Sequence, residues 1–155
     1  NNISNSTIAN ITALPAAIST GKVLQVVSAN DSTPLSSSST SYIDTGTSAS
    51  ITPSSSSNKV LVIVTTGVHG IDGASTTGMK LKLVRDSTDL IEQSSWGSHP
   101  TITYIYGQGH CFNYLDSPSS TSSITYKLQY KSNDGTNHVL ENASTAVMTL
   151  LEVSA

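Results

Sequence analysis

The residues best suited to recognising a ligand are Asp31, His69, Asp72, Trp96, His99, Asn133, Asp134 and His138, and nearly all fall at or beside the gaps between apolar runs. Trp96 is the single tryptophan, and His99 follows it by three residues at the turn GSHP (97–100). An indole stacks on the face of a sugar ring, while Asn, Asp and His side chains hydrogen-bond its hydroxyls. Trp96 with His99 is therefore a candidate glycan platform. The competing use of Trp96 is to plug one end of the core.

Other chemistry has less support. The four histidines show no HxH, HxxxH or HExxH spacing, so no single-chain zinc motif is expected. One histidine per chain on a three-fold axis remains the only metal arrangement open to them. Asp72–Gly73 and Asn133–Asp134–Gly135 are fragments of calcium loops but also ordinary turn formers. No metal and no cofactor is expected. No GxSxG occurs, and with Ser and Thr making up about a third of the chain a Ser–His–Asp set carries no weight. Asp44, Asp86, Glu92 and Asp116 are candidates for a glycosidase carboxylate pair. Asp86 follows Arg85, however, and Asp116 precedes a Ser-Pro turn, so capping and ion pairing are their expected roles. The chain is not expected to be an enzyme.

The elements that place these residues are strands. KVLQVV (22–27), SYIDTG with SASIT (41–46 and 48–52, broken at Gly46), KVLVIVTTGVH (59–69) and MKLKLVR (79–85) come first. DLIEQSSW (89–96), TITYIYGQGHCFNYL (101–115, bent at Gly107–Gly109), SITYKLQYK (123–131) and HVLEN with TAVMTLLEV (138–142 and 145–153) follow. Met79, Leu81 and Leu83 alternate with Lys80 and Lys82, and Ile124, Tyr126, Leu128 and Tyr130 share one face. In VLVIV (60–64) both faces are apolar, which predicts one face against the opposite sheet and the other against a neighbouring subunit. No segment supports a long amphipathic helix. About eight strands with frequent turn signals predict an all-β sandwich of jelly-roll type.

Strand parity then sorts the connections. If successive strands alternate direction, 29–39, 70–77, 97–101 and 132–137 lie at one end, and 53–58, 86–88 and 116–122 lie at the other. The first set holds or borders all the candidate residues; the second is Ser, Thr, Pro and an Arg–Asp pair. The N-terminus enters at the bland end, so the rich end is distal. A reversal at Gly107–Gly109 would flip this assignment.

Length suits one sandwich domain, 21–155, preceded by a distinct segment, 1–20. In that segment Ile3, Ile8, Ile11 and Leu14 are scattered among Asn, Ser and Thr. Charged residues are only 11% and the net charge is −3. Seven scattered Lys and Arg form no basic stripe, so nucleic acid is not an expected partner. The longest apolar run, 60–64, is strand length, and no membrane insertion is expected. The single cysteine, Cys111, is expected to be a buried small hydrophobe. The sequons at Asn2, Asn5, Asn10, Asn30 and Asn142 arise readily in a chain this rich in Asn, Ser and Thr. No signal peptide is visible, and the start at Asn1 rather than Met fits a fragment or a processed form.

Five segments together carry a resemblance: GKVLQVVS (21–28), SASITPSSSSNKVLVIV (48–64), LVRDSTDLI (83–91), YLDSPSSTSSITYKLQY (114–130) and TAVMTLLEVSA (145–155). Their order and spacing resemble the C-terminal domains of bacteriophage tail fibres and related virion proteins. The resemblance implies a jelly-roll homotrimer, similar to the arrangement of tumour necrosis factor and C1q. It also implies that 1–20 is the last part of a fibre stem, joined to other virion proteins. The tip would then bind a glycan or protein of the host surface. Alternatives are a capsid decoration or head-fibre protein with the same fold, and a secreted C1q-like binding module. The missing collagen repeat and signal peptide argue against the last.

Overall fold

Period-two alternation gives a strand one buried face, and a chain made of such strands must pair its sheets to cover them. A computed structural model of the protein describes residues 21–72, 76–98, 104–107, 109–134, 136–139 and 144–155. Its strands are β1 (Val23–Asp31), β2 (Leu35–Ser37), β3 (Ile43–Ile51), β4 (Lys59–Thr65), β5 (His69–Asp72) and β6 (Thr76–Arg85). They continue as β7 (Thr88–Ser98), β8 (Tyr104–Gly107), β9 (Cys111–Asp116), β10 (Ile124–Asp134), β11 (Thr136–Val139) and β12 (Ala146–Val153). Among the described residues there is no helix.

The eight longer strands form two antiparallel sheets, β1-β12-β4-β9 and β3-β10-β6-β7. The chain is thus an all-β sandwich. Only β6 and β7 follow one another within a sheet; every other link between long strands crosses to the opposite sheet. The inward rows are those the alternation predicts. Val60, Val62 and Val64 of β4, with Met148 and Leu150 of β12, meet Met79, Leu81, Leu83, Tyr126, Leu128 and Tyr130 from the second sheet. All are essentially buried, so each of the larger ones contributes about 1.5–3 kcal/mol of hydrophobic stabilisation.

The four short strands make a third sheet, β2-β11-β5-β8. Each comes from a different long connection: β1 to β3, β4 to β6, β7 to β9, and β10 to β12. Four connections can pair with one another only if they emerge at the same end. The remaining connections lie at the other end, beside the start of the first strand. There the Lys22 carbonyl accepts from Ser154 N–H at 2.9 Å, and Gln25 Nε2 donates to the Thr52 carbonyl at 2.7 Å.

No reversal occurs at Gly107–Gly109. Thr65 of β4 faces Cys111 of β9, and His69 of β5, four residues on, faces Gly107 of β8. One register runs through both ladders, so strand direction is kept from β8 to β9 and the parity assignment stands.

Two buried polar clusters fasten the entry end. Glu152, 1% exposed, accepts from Asn58 Nδ2 at 2.6 Å, from Ser54 N and Oγ at 2.7 Å each, and from Gln25 Nε2 at 2.7 Å. Burial alone would raise its pKa, but the donors outweigh burial and hold it at about 2. Asp116 takes both its oxygens to Arg85 Nη1, at 2.8 and 2.7 Å, and accepts from Tyr126 O–H at 2.6 Å.

Several local expectations need correction. The stretch 70–77 is largely strand: β5 runs to Asp72 and β6 begins at Thr76. The expected turn 132–137 holds the end of β10 and the start of β11, and the loop 30–39 holds β2. Short polar runs become strands because neighbouring connections supply the hydrogen-bonding edge. Gly46 does not break β3. It takes φ +96° inside the strand, where the register against β10 shifts, as at a bulge. Cys111 is exposed, because Phe112 takes the inward position on β9. Residues 1–20 lie outside the described residues.

Candidate functional site

The end closed by β2, β11, β5 and β8 gathers most of the candidate residues, because four chemically varied connections converge there. Its backbone rows can be read strand by strand. Ser36, His138, Gly70 and Tyr106 face one another across β2, β11, β5 and β8. The next row is Leu35, Val139, His69 and Gly107. Thr136, Asp72 and Tyr104 form a third. Across the adjoining second sheet, Asp134, Gly78 and Trp96 share a row, which sets Asp134 and Trp96 roughly 10 Å apart with no side chain between them. The sheet thus brings together Asp72 and His138, and the row beside it brings together Asp134 and Trp96. His99 lies outside the described residues.

Two candidates are placed differently from expectation. His69 is 3% exposed and is not presented to solvent. Its ring stacks on His110 with centroids 5.0 Å apart. Asp31, half-buried at the end of β1, caps its own turn, accepting from Thr33 N–H at 2.9 Å. Its carboxylate lies against Gly46, where an added Cβ would come within 2.4 Å of Oδ2. The positive φ and this approach together reserve the position for glycine. Among the described residues, the Nδ2 of Asn133, half-buried on β10, has no hydrogen-bond partner.

His110 is a member of this end that parity did not assign. Thr66 grips it from both sides, its N–H donating to the His110 carbonyl and its Oγ1 accepting from His110 N–H, at 2.7 Å each. Gly109 permits this approach, since a Cβ there would lie 2.4 Å from the Thr66 carbonyl oxygen. Burial lowers the His110 pKa, so the stacked ring is held neutral. Tyr104 and Tyr106 were also missed. Only pairing with β5 shows that they lie on this sheet; the one legible signal was the pair of glycines that ends their strand.

The carboxylates considered for glycosidase chemistry are each engaged elsewhere. Asp44 pairs with Lys127 at 3.2 Å and Glu92 with Lys80 at 2.6 Å. Asp116 holds Arg85, and Asp86 Oδ1 accepts from Thr125 N–H at 3.0 Å. Among the described residues, no three His, Cys, Asp or Glu side chains are grouped to hold a metal ion.

No family model matches the chain, and no curated protein matches it in sequence. Solved structures similar to it include three from infectious bursal disease virus. The viral particle described as T13 has 14% identity and a TM-score of 0.45, over 84% of this chain and 35% of that one. The VP2 subviral particle has 14% identity and a TM-score of 0.41, over 83% and 39%. The Gx strain structure has 12% identity and a TM-score of 0.42, over 88% and 36%. This chain thus spans well under half the length of each.

Proposed function

We propose that this protein is a virion structural component: the homotrimeric jelly-roll tip of a tail fibre, joined to the particle through its N-terminal side. Its opposite end contacts a glycan or protein of the host surface. The observation that carries the reading is the separation of the two ends. Residues 1–20 join at Gly21, beside the Lys22–Ser154 contact, while four connections close into one sheet at the far end. A fibre tip needs this polarity, with attachment at one pole and a chemically varied surface at the other. Loops on a rigid sandwich are where binding residues are ordinarily carried. The strands of the far end carry Trp96, Tyr104 and Tyr106 together with Asp72, Asp134 and His138, the aromatic and hydrogen-bonding residue types that sugar recognition requires.

The test is adsorption to host cells, or binding to a glycan array, with matched thermal melts. Trp96→Ala and Asp134→Ala are expected to weaken attachment tenfold or more through three-fold avidity. Ser56→Ala and Thr121→Ala, exposed at the entry end, are expected to leave it unchanged. Equal loss from both ends, or loss only in proportion to unfolded protein, overturns the reading.

A further inference from the structure

The exposed large hydrophobic residues among the described residues lie on the first sheet, where one outward row is apolar across all four strands and the neighbouring rows add uncharged Ser28, Thr149 and Asn113. Val26, Leu151, Leu61 and Leu115 form a single row over β1, β12, β4 and β9. Val26 and Leu115 are 59% and 52% exposed. Leu24 and Val147 extend the patch along the strands and are also exposed; Ile63 adds to it, partly exposed. Among the described residues the only charge in these outward rows is Lys59, at the first position of β4.

We propose that three copies of this chain pack around a common axis through this face. The choice of a second copy over another partner rests on two points. First, copies carrying a net charge of −3 repel one another wherever charged faces meet, and this face brings no acidic group to the contact. An uncharged face also offers an oppositely charged partner nothing to pair with. Second, residues 1–20 join at Gly21, two positions before Val23, at the exposed corner of the patch. Copies meeting here bring their N-terminal segments side by side, each with Ile3, Ile8, Ile11 and Leu14 too sparse to cover one another within one chain.

The inference deepens the trimeric reading above and names its surface, and the experiment separates the two. The full chain and its Val26→Lys/Leu115→Lys variant are compared by sedimentation and circular dichroism at micromolar concentration. Both substituted side chains point to solvent, so the sandwich is expected to keep its β signal while the trimer falls to monomer. If that variant loses its β signal, Val26→Thr/Leu115→Thr, which keeps branched residues in the strands, is expected to raise the concentration for half-assembly at least tenfold. Ser48→Lys, exposed on the opposite sheet, is expected to remain trimeric. A folded Lys variant that stays trimeric overturns the assignment of the surface and leaves the trimer standing. Dissociation by Ser48→Lys alone assigns assembly to the opposite sheet and likewise overturns it. A wild-type chain that is monomeric overturns both.

Discussion

Across the second sheet, the row Asp44, Gln129, Lys82 and Glu92 faces outward. Across the first, the corresponding row is Val26, Leu151, Leu61 and Leu115. Both rows span four antiparallel strands over the same core, and alternation puts both on the outside. The second sheet adds Lys80 bonded to Glu92 at 2.6 Å, Lys82 to Asp89 at 3.0 Å and Lys127 to Asp44 at 3.2 Å. Tyr42 lies under the Lys82 ammonium, 3.9 Å from ring centre to nitrogen, and donates its hydroxyl to Glu92. Covering such a surface would strip water from several ions, a cost their mutual attraction does not reliably return. Covering the first sheet removes apolar side chains from water and is favourable. In a chain with only 11% charged residues, this concentration of charge on one face marks which face stays wet.

The largest effect expected divides the two sides of a single strand. Val62 and Ile63 are neighbours on β4, Val62 fully buried and Ile63 outward. Val62→Asp buries an unpaired carboxylate and is expected to cost more than about 4 kcal/mol, read as failure to give soluble, folded chain. Ile63→Asp is expected to leave a folded sandwich that no longer assembles. Equal effects at the two positions would remove the distinction between core face and docking face.

Next is the ion pair that is not on a surface. Asp116 is buried, and Arg85→Ala leaves its carboxylate, among the described residues, with the Tyr126 hydroxyl as its donor. A loss of about 3 kcal/mol is expected in urea denaturation. By contrast, Asp44→Ala removes a solvent-exposed pair and is expected to change stability by less than about 1 kcal/mol. If the two variants behave alike, the charged outer face contributes more to stability than its exposure implies.

Acid sharpens the contrast further. The Glu152 carboxyl, held at about 2 against an ordinary 4.5, binds protons less readily folded than unfolded. Its contribution is complete above pH 4.5 and drains away as pH falls from there toward 2. His110, lowered from an ordinary 6.5 by burial, likewise contributes fully above pH 6.5 and less below it. Melting temperature is therefore expected to fall in two stages on acidification. Glu152→Gln should flatten the lower stage, and His110→Gln the upper. The smallest effect expected is that of salt on assembly. Raising sodium chloride from about 0.05 to about 0.5 M screens exposed charges, yet an uncharged interface should shift its half-assembly concentration less than about twofold. A strong salt dependence would place the contact on the charged sheet.

Much of this was legible along the chain. Alternation at 79–83 and 124–130 named the inward rows of β6 and β10, because a period of two leaves a half-buried strand no other reading. Parity placed the four rich connections together, because a strand must leave a sheet at the end opposite its entry. The identity of the carboxylate partners was half legible: the Arg85–Asp86 step suggested pairing, but the partner of Arg85 proved to be Asp116, thirty-one residues away.

Other features became visible only in three dimensions. β2, β5, β8 and β11 are three or four residues long, too short for periodicity, and exist because each finds another connection's edge. His69 and His110 are far apart in sequence, and only the pairing of their segments, fastened by Thr66 to His110, brings their rings together. In VLVIV both rows are apolar, so the sequence by itself left open which row belongs to the core. Tertiary structure decided that Val60, Val62 and Val64 face the opposite sheet while Leu61 and Ile63 face outward. The reason is register: β12 and β9 pair with β4 so that Met148, Leu150 and Phe112 lie on the valine side. A slip of one residue would exchange the two rows.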